Sequence, residues 1–281
     1  MLAIEDSIGQ DVYNPVYITF QGITLLNEQL QQEGLAVFEL ADTSGLDKAC
    51  EVVIELKALQ KQQKRVEAVA DIEMPWPGPM IDRHMDIQVL QDLFFDANLQ
   101  AAAAENFGAD LFLWRSNFFY KHQGDRDGRG TGENKWHHDR HFENGAAPLD
   151  IFNMSNHFTV LLALTDVGMN AGRLEYVKGS HQPIDGWDRD IPRHIKEVPE
   201  VVQDRVTPLP LKRGQFVLFH SSLLHRSLAF ESGDARISMA ARLAKVGTEF
   251  PEDGAANPAG GEQSRAEPIV NYRKTGILAF N

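Results

Sequence analysis

The chain has 281 residues, of which 43% are hydrophobic, so it can bury a sizeable core and wholesale disorder is excluded. Its formal net charge of −13 argues against a surface that follows nucleic-acid phosphates or binds an anionic membrane. Cys50 is the single cysteine, which rules out an intramolecular disulfide and a multi-cysteine zinc site and predicts a reducing compartment, the cytoplasm.

The first 109 residues are predicted to be mainly helical. Residues 1–14 lack a basic segment followed by an apolar run, so we expect neither a signal peptide nor a membrane span. Apolar residues at helical spacing predict a helix over Gly22–Gly34, and a strand is predicted over Leu35–Leu40. Two long helices are expected next, one capped at residues 42–44 and running to about Ala70, the other over Asp86–Phe107. We find no chemistry-bearing pattern in this part.

Beyond Asp110 the pattern becomes that of a β region. An aromatic-rich strand is predicted over Leu111–Tyr120, and residues 124–132 are expected to form a loop that acts as a lid or entrance segment. Further strands separated by turn signals are predicted at Phe158–Leu164, Arg173–Val177, Gln215–Phe219, Leu223–Leu228 and Arg236–Leu243. Several short strands of this kind imply a sandwich or a barrel.

The remaining segments are expected to be irregular, over Gln182–Thr207 and Glu249–Glu267. We therefore expect one domain over residues 1–281. It would comprise helical support over about 1–109, a catalytic β region over about 110–246, and an irregular segment over 247–281.

The first candidate site lies in residues 136–141, with the sequence WHHDRH. His137 and Asp139 are two residues apart, so in a strand both side chains point to one face and can converge on a metal ion. A further histidine, either His225 or His220, would complete a two-histidine, one-carboxylate set. That set leaves three adjacent positions open on Fe(II). Alone, a His-x-Asp pattern is more often a pair of surface and core residues.

Arg236 adds a second feature. We expect His225 and Arg236 on neighbouring antiparallel strands that aim both side chains into one cavity. The imidazole would bind a metal and the guanidinium would hold a carboxylate, with Ser227 adding a hydrogen bond. A metal with a separate carboxylate anchor suits a 2-oxo diacid. For this hairpin alone, a core histidine and a surface arginine would be the simpler interpretation.

Together these residues resemble the phytanoyl-CoA dioxygenase superfamily of Fe(II)/2-oxoglutarate oxygenases. Three motifs occur in the family's order, at residues 136–139, 170–181 and 225–236. The middle motif departs from the family pattern, because Ala171 is inserted before its glycine and Lys178 replaces its proline. The resemblance covers most of the chain from Gly22 to Leu243, and the motifs are specific in combination rather than singly.

The resemblance implies an α+β fold with a double-stranded β-helix (jelly-roll, cupin-like) core and N-terminal helices packed on one sheet. It implies Fe(II) as the metal, with 2-oxoglutarate and O2 as co-substrates. The implied catalytic metal ligands are His137, Asp139 and His225, and the implied co-substrate residues are Arg236, Ser227 and Asn117. Related halogenases replace the carboxylate ligand by a small residue, so Asp139 favours hydroxylation over halogenation.

The implied activity is oxidation of an unactivated C–H bond in a small molecule of specialised or amino-acid metabolism, with release of succinate and CO2. Hydroxylation, desaturation and cyclisation stay open. The aromatic residues of this region can line an apolar pocket, although aromatics on strands are more often core: Trp114, Phe118, Phe119 and Phe142. Arg140 or Arg173 can meet a substrate carboxylate. We expect no nucleic-acid or membrane partner, and a monomer or homodimer. The alternatives are a cupin-like metal enzyme that does not use 2-oxoglutarate and a non-catalytic 2-oxoglutarate-binding protein.

Overall fold

The computed structural model describes residues 28–61, 80, 83–85, 87–109, 111–123, 135–139, 157–187, 194–245 and 279–280. In this part the chain has two antiparallel sheets and several helices, an α+β fold. The loop expected at 124–132, the tail expected at 249–267 and the last residues of the helix expected to reach Ala70 lie outside the described residues.

The N-terminal part contributes helices and one strand. Helix α1 is described over residues 28–33, and strand β1 (Leu35–Glu39) confirms the strand predicted there. Helix α2 (Leu46–Lys61) follows, then α3 (Gln88–Phe94) and α4 (Ala97–Phe107). Of the helices described, none is both long and apolar enough to cross a membrane.

The single helix predicted over Asp86–Phe107 is wrong, because Asp96 divides it. The Asp96 carboxylate accepts hydrogen bonds from the backbone amides of Asn98 and Leu99, which makes it the N-cap of α4. It also accepts the amides of Ala41 and Asp42, just after β1. One buried carboxylate therefore starts a helix and ties it to the neighbouring strand.

The strands after α4 form two sheets. In chain order they are β2 (Leu111–Lys121), β3 (Trp136–His137), β4 (His157–Ala163), β5 (Leu174–Val177), β6 (His194–Ile195), β7 (Val206–Leu209), β8 (Gln215–His220), β9 (His225–Ser227), β10 (Arg236–Lys245) and β11 (Ala279–Phe280). Sheet A has the order β1-β8-β4-β10-β2-β11, and sheet B has the order β6-β3-β9-β5-β7.

The strands predicted from hydrophobic pattern are confirmed within a few residues. The irregular structure expected over Gln182–Thr207 is wrong in part, since β6, the start of β7 and a 3-10 helix over Glu200–Arg205 lie there. These pieces are too short to carry a periodic signal. β7 exists because it pairs with β5, and it carries Pro208 at the edge of sheet B, where a missing N–H is tolerated.

The site lies between the two sheets, and residue alternation puts it there. On β4, Val160 and Leu162 pack towards the helices, whereas Leu161 and Ala163 pack towards sheet B. The helices and sheet A thus enclose one core, and the facing sheets enclose another together with a cavity.

Candidate active site

Three side chains meet at one end of this cavity. His137 ends β3, Asp139 follows in a bend, and His225 begins β9, where it pairs with His137 across the ladder. One ligand atom from each lies within 4.8 Å of the others. The Nε2 atoms of both imidazoles are 3.9 Å from Asp139 Oδ1. A strand running through Asp139 was expected; instead, β3 ends at His137 and the Asp139 amide donates to the Ser221 carbonyl.

Both imidazoles are oriented through their other nitrogen. His137 Nδ1 lies 2.8 Å from the carbonyl oxygen of Lys135, and His225 Nδ1 lies 2.9 Å from that of Leu223. A carbonyl only accepts, so each Nδ1 carries a proton, which in a neutral imidazole leaves the lone pair on Nε2. Metal-binding histidines are generally held in this way.

Asp139 is held by two donors that the sequence analysis did not identify. The Thr159 hydroxyl donates to Oδ2 at 2.8 Å, and Arg242 Nη2 donates to Oδ1 at 2.9 Å. Thr159 thereby turns Oδ1 towards the two imidazoles. The alternation of Arg236, Ser238, Ala240 and Arg242 along β10 could have placed Arg242 on the inner face.

The cavity has about 460 Å³ of empty space, part of which is open solvent at its mouth. Its apolar walls are formed by Phe119, Leu161, Leu174, Phe219 and Ala240. The His137 side chain is 22% exposed, whereas Arg236 is only 2% exposed. We call the end with the three converging side chains the open end, because His137 reaches solvent there, although Asp139 and His225 are themselves buried. We call the end with Arg236 the buried end.

Arg236 is fully enclosed at the buried end. It donates to the carbonyl oxygen of Gly172, to Ser227 Oγ at 3.4 Å and to Ser238 Oγ at 3.2 Å. These acceptors are neutral, and its Nε has no hydrogen-bond partner among the residues described. Burial lowers the pKa of Arg236 to about 10.

The hairpin expected to join His225 and Arg236 is wrong. β9 pairs with β3 and β5 in sheet B, whereas β10 pairs with β2 and β4 in sheet A. The two side chains reach one cavity because the sheets face each other, not because the strands are neighbours.

Lys121 is a second cation at the buried end, and the sequence analysis missed it. Its Nζ donates to Ser227 Oγ and, at 2.8 Å, to the carbonyl of Leu228. Burial and, next, the nearby Arg236 lower the pKa of Lys121 to about 7. Gly172 makes room for it, since a Cβ there would lie 2.8 Å from Lys121 Cδ. Its position two residues after Phe119 on one strand was the available signal.

The other candidate residues lie apart from this cluster. Asn117 is on the same face of β2 as Phe119, opposite Ala240, and its buried Oδ1 has no hydrogen-bond partner within the described part of the chain. His220 stacks on His181 with ring centroids 4.7 Å apart and is not in the group that could hold a metal.

The arginines expected to face a substrate are elsewhere or not described. Arg173 pairs with Glu175 at 2.9 Å, so it already has an anionic partner. Arg140 and Phe142 lie outside the described residues. Of the aromatics expected at the pocket, Phe119 lines the cavity, whereas Phe118 packs in the core between sheet A and the helices.

The family model described as "Phytanoyl-CoA dioxygenase (PhyH)" matches residues 28–238 of the chain. No curated protein matches the sequence.

Solved structures with a similar fold include three proteins of 18–19% identity. The epimerase SnoN in complex with Fe³⁺, alpha ketoglutarate and nogalamycin RO is 18% identical, with a TM-score of 0.59 over 86% of this chain and 97% of that chain. The alpha ketoglutarate dependent carbocyclase SnoK from nogalamycin biosynthesis is 19% identical, with a TM-score of 0.57 over 79% and 83%. AviO1 from Streptomyces viridochromogenes Tue57 is 19% identical, with a TM-score of 0.57 over 81% and 97%. At this identity the likeness concerns the fold.

Proposed function

The chain belongs to the phytanoyl-CoA dioxygenase family of Fe(II)/2-oxoglutarate oxygenases, and from this we propose that it oxidises a C–H bond of a small molecule in a reaction that requires Fe(II), 2-oxoglutarate and O2. One observation carries the proposal. His137, Asp139 and His225 meet within 4.8 Å at the open end of a cavity whose buried end holds Arg236. This chemistry requires a metal site and a group that binds the far carboxylate of the co-substrate, and one cavity contains residues suited to both.

His137, Asp139 and His225 would hold the iron. Two neutral imidazoles and one carboxylate form a donor set that suits Fe(II) and leaves coordination positions open. The carbonyls of Lys135 and Leu223 direct the two Nε2 lone pairs inward, so little rearrangement is needed on binding.

Arg236 would hold the far carboxylate of 2-oxoglutarate. Its guanidinium is buried among neutral acceptors and its Nε lacks a partner in the described part of the chain, so it can accommodate an anion. Ser227 can donate to the same carboxylate, and Lys121 lies beside it. We assign Asn117 a weaker role near the co-substrate, since it faces the same side of β2 as Lys121.

When bound, iron and 2-oxoglutarate would supply the oxidising power for cleavage of a C–H bond by O2, with succinate and CO2 as co-products. The residues of the chain provide geometry. Thr159 fixes the orientation of Asp139, Arg236 fixes the co-substrate, and apolar walls such as Phe219 exclude water from the reacting region. Because Asp139 occupies the third ligand position, we propose hydroxylation, or desaturation or cyclisation by the same route, rather than halogenation.

We propose that one oxygenase domain spans residues 1–281 and that its facing sheets form a double-stranded β-helix. Residues up to about 109 would mainly support the β region from there to about 246. β1 is the exception within that support, because it completes an edge of sheet A beside β8. We propose a substrate from specialised or amino-acid metabolism.

Anaerobic addition of Fe(II) and 2-oxoglutarate to the purified protein tests the proposal. We expect a weak visible charge-transfer band, and succinate formation when O2 is admitted. The Arg236→Ala variant should still bind metal but lose the band at 2-oxoglutarate concentrations that saturate the unchanged protein.

The alternatives give different results. A metal enzyme that does not use 2-oxoglutarate would bind Fe(II) without the band, and Arg236→Ala would change little. A non-catalytic 2-oxoglutarate-binding protein would show the band but form no succinate with any compound tested.

A further inference from the structure

Basic side chains lie at both ends of the cavity. The proposed function gives a ligand only to those at the buried end. Lys121 and Arg236 occupy the buried end, where a co-substrate carboxylate would lie. Arg242 lies at the open end. Arg236 and Arg242 are six residues apart on β10 with side chains on the same face, which corresponds to about 20 Å of strand.

Metal binding would weaken the ion pair between Arg242 and Asp139. Asp139 Oδ1 is the anionic atom it contacts, at 2.9 Å, and the same oxygen faces the two imidazole Nε2 atoms. A divalent ion held there would share the charge of Asp139 and repel the guanidinium. Arg242, with 13% of its side chain exposed, would then face the cavity as a cation whose charge is no longer balanced.

The charged residues described around the cavity support this. Two arginines, Arg236 and Arg242, lie there with one carboxylate, Asp139, and Lys121 is only partly protonated near neutral pH because its pKa is about 7. A ferrous ion and the dianion of 2-oxoglutarate cancel each other, so the two arginines leave positive charge among these described residues, in a chain whose net charge is −13. An anionic substrate would neutralise it.

We propose that the substrate is a small carboxylic acid whose carboxylate binds Arg242 at the cavity mouth. A planar guanidinium suits a carboxylate, which can accept two parallel hydrogen bonds. The rest of the substrate would lie on Phe119 and Phe219, and the Phe219 ring is 5.0 Å from the His225 ring, which brings apolar carbon close to the metal ligands. This inference rests on the proposed function and adds a substrate class to it.

Matched pairs of compounds test it. The protein, loaded anaerobically with Fe(II) and 2-oxoglutarate, is titrated with a panel of alkyl and aryl carboxylic acids and the primary amide of each. Perturbation of the visible band measures binding without turnover. We expect carboxylates to bind at least about ten-fold more tightly than their amides, as a charged hydrogen bond requires.

The variants isolate Arg242. In Arg242→Gln the ratio of carboxylate affinity to amide affinity should fall by about ten-fold or more, and Arg242→Lys should retain part of the preference. Because Arg242 also donates to Asp139, each variant is first brought to its own saturating concentrations of Fe(II) and 2-oxoglutarate, and the ratio is then measured within that one protein. Arg213→Gln is the matched control, because it removes one positive charge that pairs with Asp47 on the surface, away from the cavity.

Three results would overturn the inference. These are equal binding of amides and carboxylates, a panel in which no carboxylate perturbs the band, and a full carboxylate preference in Arg242→Gln. If Arg242→Gln does not fold, the comparison of acids with amides in the unchanged protein decides. Absence of the band in the unchanged protein would remove the proposed function itself, whereas a band without carboxylate preference removes this inference alone.

Discussion

The two ends of the cavity differ in the partners of their charged side chains. At the open end, Asp139 is matched by donors from Thr159 and Arg242, and the imidazoles beside it direct neutral nitrogens inward. At the buried end, Lys121 and Arg236 lie together, and the described hydrogen bonds of both go to neutral oxygens. At the open end Arg242 pairs with the Asp139 carboxylate, whereas at the buried end Arg236 donates only to neutral oxygens among the described residues.

The two ends would contribute differently to ligand binding. The open end would contribute positioned atoms, and the buried end would contribute electrostatic free energy. In the proposed metal site the open end would contribute ligand atoms that already converge, so the three ligand side chains themselves would move little on binding. At the buried end, burial lowers the pKa of Lys121 to about 7 and that of Arg236 to about 10, which means that the protonated forms are destabilised there. An anion relieves that cost, so the buried end should favour a dianionic co-substrate strongly.

The largest expected effect is at the open end. Replacing His225 by Ala removes one of three ligands, and we expect the affinity for Fe(II) or Co(II) to fall by more than about 100-fold, beyond the loss typical of outer-sphere changes. Equilibrium dialysis of the metal measures this. His220→Asn is the control, because His220 stacks on His181 and should not affect metal binding. Near-normal metal binding by His225→Ala would contradict the assignment of His225 as a metal ligand.

The next effect belongs to the buried end. Arg236→Ala should weaken 2-oxoglutarate binding by at least about 30-fold, since truncating one side of a buried charge pair costs about 2–5 kcal/mol. Calorimetric titration of 2-oxoglutarate into the Co(II)-loaded protein measures it, and metal affinity should stay within about three-fold. If metal and 2-oxoglutarate affinities fell together, the two ends would not be separable. Arg213→Ala, on the surface, should change neither.

A smaller effect tests how the open end is preformed. Thr159→Val keeps the shape but removes the hydrogen bond to Asp139 Oδ2, so metal affinity should fall by about ten-fold. Thr159→Ser retains the hydroxyl and should restore most of the affinity. Unchanged metal affinity in Thr159→Val would show that the Thr159 hydroxyl is not needed to orient the carboxylate.

The smallest effect is a pH dependence at the buried end. The pKa of Lys121 is about 7 in the fold against an ordinary value of 10.5, so between these values the unfolded chain holds a proton that the folded chain has released. The Lys121 contribution to the free energy of unfolding therefore rises with pH across this range. A bound dianion favours protonated Lys121, so 2-oxoglutarate affinity should fall above pH 7, by less than about ten-fold per pH unit.

The Lys121→Met variant isolates that contribution. Both the pH slope of stability and the pH slope of 2-oxoglutarate affinity should flatten relative to the unchanged protein, as measured by thermal unfolding and calorimetry in matched buffers. Identical slopes in the two proteins would mean that Lys121 does not titrate near pH 7.

The local elements were largely predictable, because each depends on a periodic pattern along the chain. The alternation that defines β4, β8 and β10 is strong, and their bounds agree with expectation to within a few residues. The prediction of element bounds was wrong where one side chain ends or begins a helix. Asp96 divides one expected helix into two by capping α4, and no periodic signal reveals that its carboxylate also binds the amides after β1.

The amino-acid sequence by itself determined the residue types at the candidate site and their order, because the spacing of His137 and Asp139 and the alternation after Arg236 are properties of the chain. Only the tertiary structure decided which residues meet. β9 and β10 lie in different sheets. The pairing of β2 with β10 places Lys121 opposite Arg236 within sheet A, and the packing of sheet A on sheet B brings Arg242 beside Asp139, each across more than 100 residues of chain. Long-range contacts of this kind depend on strand pairing and sheet packing, to which no local pattern in the sequence corresponds.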